Sequence, residues 1–194
     1  ARYIYETVTV KTGNYLVFAP SYQVMEQVAD RCVAYEDMEC IRQESGMEEE
    51  EREAFLKKFE KERNHSLVGF CVMGGIFSEG IDLTNEKLIG TLIIGTGLPQ
   101  VCNEREILKS YFDQKGLYGF DYAYRYPGMN KVLQAAGRVI RTEDDRGVIL
   151  LLDERFQREK GKEIFPKEWA DCERCRLDIV EEKIRLFWEK QTDN

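Results

Sequence analysis

The chain has 194 residues, 43% hydrophobic and 33% charged, which is enough for one well-packed domain and excludes a disordered or low-complexity polymer. No apolar run approaches the length of a membrane span, and the first residues lack a basic-then-apolar leader pattern. A net charge of −8 argues against a module that coats nucleic acid through bulk positive charge.

The run "NYLVFAPS" reads as a buried strand over 15–19, closed by a proline and a serine that open a helix. That helix, over 22–35, places Met25, Val28, Ala29 and Cys32 at helical spacing. "MECIRQ" is a second short strand. In "SGMEEEEREAFLKKFEKER", Ser45 and Glu48 have capping-box spacing and Glu53 stands one helical step before Lys57. The expected helix, 47–63, buries Phe55, Leu56 and Phe59 and turns its acidic face to solvent.

A third strand over 67–73 ends in "GGIFSEGIDL", and a fourth over 88–95 ends in "TGLPQV". A helix over 104–114 follows, then the aromatic, glycine-punctuated connection "KGLYGFDYAYRYPG". There Tyr118, Phe120, Tyr122, Tyr124 and Tyr126 either stack on bases or pack on the sheet edge. Pro127 stands just ahead of the next helix, a fifth strand runs over 147–152, and an amphipathic helix closes the chain within 171–191. Strands alternating with helices predict an α/β fold, a mainly parallel sheet with helices on both faces. Ligands are then expected beyond the carboxyl ends of the strands, where the segments 74–80 and 96–101 fall.

Six cysteines are spread through these elements without the density of a disulfide scaffold, so reduced thiols and a cytoplasmic location are expected. Cys172 and Cys175 form one C-x-x-C with no second pair to complete a zinc site, and no metal site is expected.

The chemistry concentrates in "LQAAGRVIRTEDDRGVILLLDERF". On one helix, Gln134, Arg138 and Arg141 project from one face as two guanidinium forks and an amide, a set suited to the oxygens of a transferring phosphoryl group. Ala135, Ala136 and Gly137 keep the first turn slim enough for a second surface to approach. The alternative is local pairing of the arginines with Glu143, Asp144 or Asp145. In the third strand's exit, Gly74, Gly75 and Gly80 allow backbone amides to approach a phosphate or sugar, while Glu79 and Asp82 are candidate acceptors. A plain tight turn capped by Asp82 is the competing reading.

Together these segments resemble the superfamily 2 DNA helicases, specifically the DinG-like and XPD-like branch. "YLVFAPSY" is similar to that branch's motif IV, "GGIFSEGIDL" to its motif V and "QAAGRVIR" to its motif VI, followed by the strand and Asp-x-Arg of "DRGVILLLDERF". The resemblance implies one RecA-like domain of the P-loop NTPase type over 1–194, with motif IV near 15–22, motif V near 74–83 and motif VI near 134–141. It assigns Arg138, Arg141 and Gln134 to catalysis on ATP, Glu79, Gly80 and Asp82 to the nucleotide link, and Ser21 and Tyr22 to DNA. The chain contains neither G-x-x-x-x-G-K-[ST] nor a D-E-x-H or D-E-A-D box. ATP and Mg2+ are therefore expected mainly on an amino-terminal motor domain of a longer chain, with any iron-sulfur cluster also beyond this chain. Single-stranded DNA and that motor domain are the implied partners, with no membrane, and this domain by itself is expected to be inactive. Two rival readings are a non-catalytic, degenerate RecA-like binding module and a dehydrogenase-type nucleotide enzyme. The second lacks G-x-G-x-x-G after its first strand.

Overall fold

The computed structural model describes residues 1–77, 88–140, 145–158 and 162–190. Its five strands are β1 (Asn14–Ala19), β2 (Met38–Arg42), β3 (Ser66–Val72), β4 (Gly90–Ile94) and β5 (Val148–Leu152). They form one all-parallel sheet in the order β2-β3-β1-β4-β5. Parallel strands need crossovers that cover both sheet faces, so central strands become apolar on both sides. Tyr15 to Ala19 in β1 are all buried for this reason, and β3 is buried over six of its seven residues.

One face carries α1 (Arg2–Val8), α2 (Tyr22–Cys32) and the final helix α6 (Val180–Glu189), through Ile4, Val8, Met25, Ala29, Cys32, Val180 and Ile184. The opposite face carries α3 (Glu49–Lys57) and α5 (Tyr126–Ala136), through Phe55, Met129, Val132 and Ala135, with Phe59 in the turn after α3 and Phe156 closing the layer. The predicted α/β class with a mainly parallel, doubly covered sheet is therefore the observed one.

Local details differ from the sequence expectation. The acidic helix starts at Glu49, and its capping residue is Glu48, whose backbone N–H donates to Glu51 Oε2 at 2.8 Å; Ser45 lies outside the cap. The spaced pair Glu53 and Lys57 does meet, at 3.6 Å. The closing helix begins only at Val180.

The larger correction concerns the aromatic connection, which is helical. After α4 (Asn103–Gln114), residues Asp121–Arg125 form a π-helical turn that runs directly into α5. Pro127 therefore sits inside a continuing helix, not ahead of one. A proline has no N–H to give the carbonyl four residues earlier, which here belongs to the fully buried Ala123. Arg105 of α4 supplies the missing donor, its Nη1 lying 2.8 Å from Ala123 O. The same helix adds Glu106, which accepts from Tyr124 Oη at 2.6 Å, and Phe112, stacked on Tyr122 at 4.2 Å. Arg105→Ala should cost about 1–3 kcal/mol by stranding a buried acceptor. Pro127→Ala, which restores a donor to the same carbonyl, should shrink that loss; urea denaturation of the two single variants and the double variant measures both effects.

Candidate functional site

Because all five strands point one way, their carboxyl ends share one edge. At the end of β1, Ser21 is extended and caps α2, its Oγ accepting from Val24 N at 3.3 Å. The next residue, Tyr22, keeps 37% of its surface exposed, and its Oη accepts from Gln43 Nε2 at 2.8 Å. Gln43 follows β2 and is only 2% exposed; its backbone N–H donates to Phe70 O at 2.8 Å, and its Oε1 accepts from Val72 N at 2.9 Å.

β3 leaves the sheet through Gly74, which adopts φ +70, a conformation that favours glycine. A β-carbon there would lie 3.1 Å from Lys131 Cε, so the arm of this α5 lysine lies over the turn. Phe77 then anchors the segment by stacking on Phe55 at 4.4 Å. Glu79, Gly80 and Asp82 lie outside the described residues.

The end of β4 is fitted to its neighbours through glycines. Gly97, at φ +66, leaves no room for a β-carbon, which would stand 2.6 Å from Gly128 O at the start of α5. A β-carbon on Gly95 would lie 3.6 Å from Pro20 Cγ and 3.9 Å from Arg155 Nη2. The helix after β1 covers one face and α5, after β4, covers the other, so the β1–β4 crevice is a topological switch point, the usual ligand position in open α/β sheets. β5 ends in Asp153-x-Arg155, where the carboxylate takes a two-pronged fork, Nε at 2.9 Å and Nη2 at 2.7 Å, plus the Arg155 backbone N–H at 2.8 Å. Those bonds from Arg155 hold the Asp153 carboxyl below its usual range, against an opposing contribution from burial.

The arginine comb is arranged differently from the sequence expectation. Helix α5 ends at Ala136, with Gly137 as its cap, so Gln134 is exposed in the last turn and Arg138 lies past the helix, half-buried in a following turn. Ala135 and Ala136 are in that last turn rather than the first, and both are buried in the core, so they leave no slim surface for a second body. Arg141 lies outside the described residues.

α5 also separates the two groups of candidates. Its first turn touches the carboxyl-edge loop at Gly128, whereas Val139, just beyond its last turn, packs on Gly147, which lies beside the Ile89 carbonyl at the amino-terminal ends of β5 and β4. At about 1.5 Å of rise per residue, Gly128 and Arg138 stand roughly 15 Å apart along the helix direction. Ser21 and Tyr22 are brought together with the β3 turn. Arg138 is not.

A family model described as the helicase C-terminal domain matches residues 4–172. The chain belongs to that family. Among relatives, the Fanconi anemia group J protein homolog of Gallus gallus is 28% identical over 77% of this chain and 13% of its own length. The ATP-dependent DNA helicase CHL1 of Vanderwaltozyma polyspora is 28% identical over 94% of this chain and 24% of its own length. The chain thus spans between about an eighth and a quarter of these two relatives. Two solved structures share the fold. An XPD helicase superposes with a TM-score of 0.66 at 23% identity, covering 83% of this chain and 28% of that one. The C-terminal domain of the DEAD-box protein Dbp5 superposes at 0.52 and 14% identity, covering 95% of this chain and 87% of that one. The resemblance drawn from the motifs to the XPD-like helicases, and the RecA-like fold that it implied, hold for this helicase C-terminal domain.

Sequence reasoning passed over Gln43, Lys131 and Arg105. For Gln43 a signal existed, a polar residue ending the apolar strand "MECIRQ"; for the other two, helical spacing says nothing of which turn they reach. Asp153→Asn should lower the melting temperature near neutral pH. Because the folded carboxyl titrates below its unfolded value of about 3.9, its contribution is present above that value and is lost as pH falls through the lower folded one. The gap between variant and parent should therefore close in melts taken under strongly acidic conditions.

Proposed function

We propose that this domain is the second motor half of an ATP-dependent DNA helicase and works only with an amino-terminal motor domain that holds ATP and Mg2+. The observation that carries the reading is the family match over residues 4–172. The alignment over 94% of the chain with a protein named as an ATP-dependent DNA helicase supports it.

In this reading the two ends of α5 serve two ligands. Arg138, past the end of α5 toward the amino-terminal edge, reaches across to ATP on the other domain, and the roles of Arg141 and Gln134 in this reading are to act with it. Planar guanidiniums, always charged, stabilise charge developing on the γ-phosphoryl oxygens, while the nucleophilic water and metal are held elsewhere. At the carboxyl edge, Ser21, Tyr22 and the turn after β3 meet the backbone of single-stranded DNA, and Glu79, Gly80 and Asp82 link strand to nucleotide. Closure on ATP and reopening after hydrolysis then move the strand across both domains.

In the full-length protein, Arg138→Ala should lower ATP turnover by about 10³-fold or more, the scale of an arginine finger. Its affinity for single-stranded DNA should change far less. Parallel loss of turnover and affinity in steady-state ATPase and anisotropy measurements would instead make Arg138 a DNA-binding arginine and overturn the assignment.

A further inference from the structure

We infer that Gln43 is a positioning residue for nucleic acid: it fills the acceptor side of the Tyr22 phenol, so that Tyr22 presents its O–H outward as a donor to a phosphodiester oxygen. The inference rests on the DNA-facing role proposed for Tyr22 and adds the group that sets its polarity.

The argument starts from the buried amide. An amide side chain has one accepting end and one donating end. The Val72 backbone N–H, 2.9 Å away, can be met only by the accepting oxygen, so Oε1 must face the β3 backbone. The NH2 end is thereby directed to Tyr22 Oη at 2.8 Å. With Gln43 only 2% exposed, it is held in place, and its own backbone N–H is tied to Phe70 O. A phenol oxygen that already accepts from Gln43 must send its single proton elsewhere. Among the described residues Tyr22 Oη donates to no acceptor, and the residue keeps 37% of its surface open. A donor prepared in this way suits a partner that only accepts, and phosphate oxygens do so.

The surroundings favour an anion. A β-carbon on Gly75 would lie 3.3 Å from Gln43 Nε2, and on the preceding Gly74 one would lie 3.5 Å from Lys131 Nζ. A lysine ammonium thus stands at the same turn, and among the described residues it enters no ion pair. The phenol, the turn backbone and the ammonium follow one another along the carboxyl edge, as contacts to a strand's backbone do, and they impose no base sequence.

The test uses the full-length protein and a fluorescent single-stranded oligothymidylate, read by anisotropy. Tyr22→Phe removes the hydroxyl, and with it the proton offered to phosphate, and should weaken binding roughly ten-fold, the scale of a hydrogen bond to a charged group. Gln43→Glu keeps the shape and the Val72 contact, but its carboxylate accepts from Tyr22 and turns the proton inward. It should weaken binding to the same degree, and the double variant should be no weaker than either single one. Unchanged binding by Tyr22→Phe, or a double variant that multiplies the two single losses, overturns the inference. If Tyr22→Phe binds normally while Arg138→Ala still abolishes ATP turnover, only this inference falls. A parent protein that binds no single strand at all sinks the functional reading beneath it.

Discussion

Strand direction governs this domain. Five strands running the same way cannot be joined by tight turns, so each connection must climb back over a sheet face, and every strand ends at the same edge. The loops after β1, β3, β4 and β5 and the residue that follows β2 become neighbours for that reason, although Pro20 and Asp153 stand toward opposite ends of the sequence. The contacts of Gly95 with Pro20 and Arg155 and the bridge from Gln43 to Tyr22 and Val72 are consequences of that alignment. A returning helix has one end at each edge, and α5 touches Gly97 with its first turn while its last turn leads to the opposite side.

The layered fold was open to inspection in the sequence because burial on both faces leaves a continuous mark. Runs such as "YLVFA" and "LVGFCV" are apolar at every position, and all five expected strands stand where those runs fall. Amphipathic spacing found α2 and α4 to within a few residues at each end. What failed was the reading of residues that act over distance. Glycine, proline and five aromatics between 116 and 128 looked like a loop because propensity penalises each of them in a helix. The π turn survives there because α4 supplies a guanidinium to the carbonyl left open by Pro127, a partner 18 residues away.

The candidate site was legible in part for a similar reason. Ser21, Tyr22 and the glycines after β3 announce themselves as strand-end residues, and alignment of the strands does the rest. The arginine comb assumed that a helix would continue through 141, but Gly137 ends it, and spacing of three and four residues then no longer means a shared face. Gln43 was hidden because its meaning lies in the two hydrogen bonds of its amide, one to a tyrosine 21 residues earlier and one to a strand backbone 29 residues later. Periodicity carries no record of such a link.

Helix α4 contributes no buried side chain, and among its contacts with the rest of the domain are those of Arg105, Glu106, Phe112 and Asp113, the last accepting from the Gly119 backbone N–H. Ile107, Leu108 and Tyr111 stand in solvent on the same short helix. Selection for folding therefore constrains very few of its twelve positions. Substitutions over the remaining surface of this helix leave the core beneath it untouched.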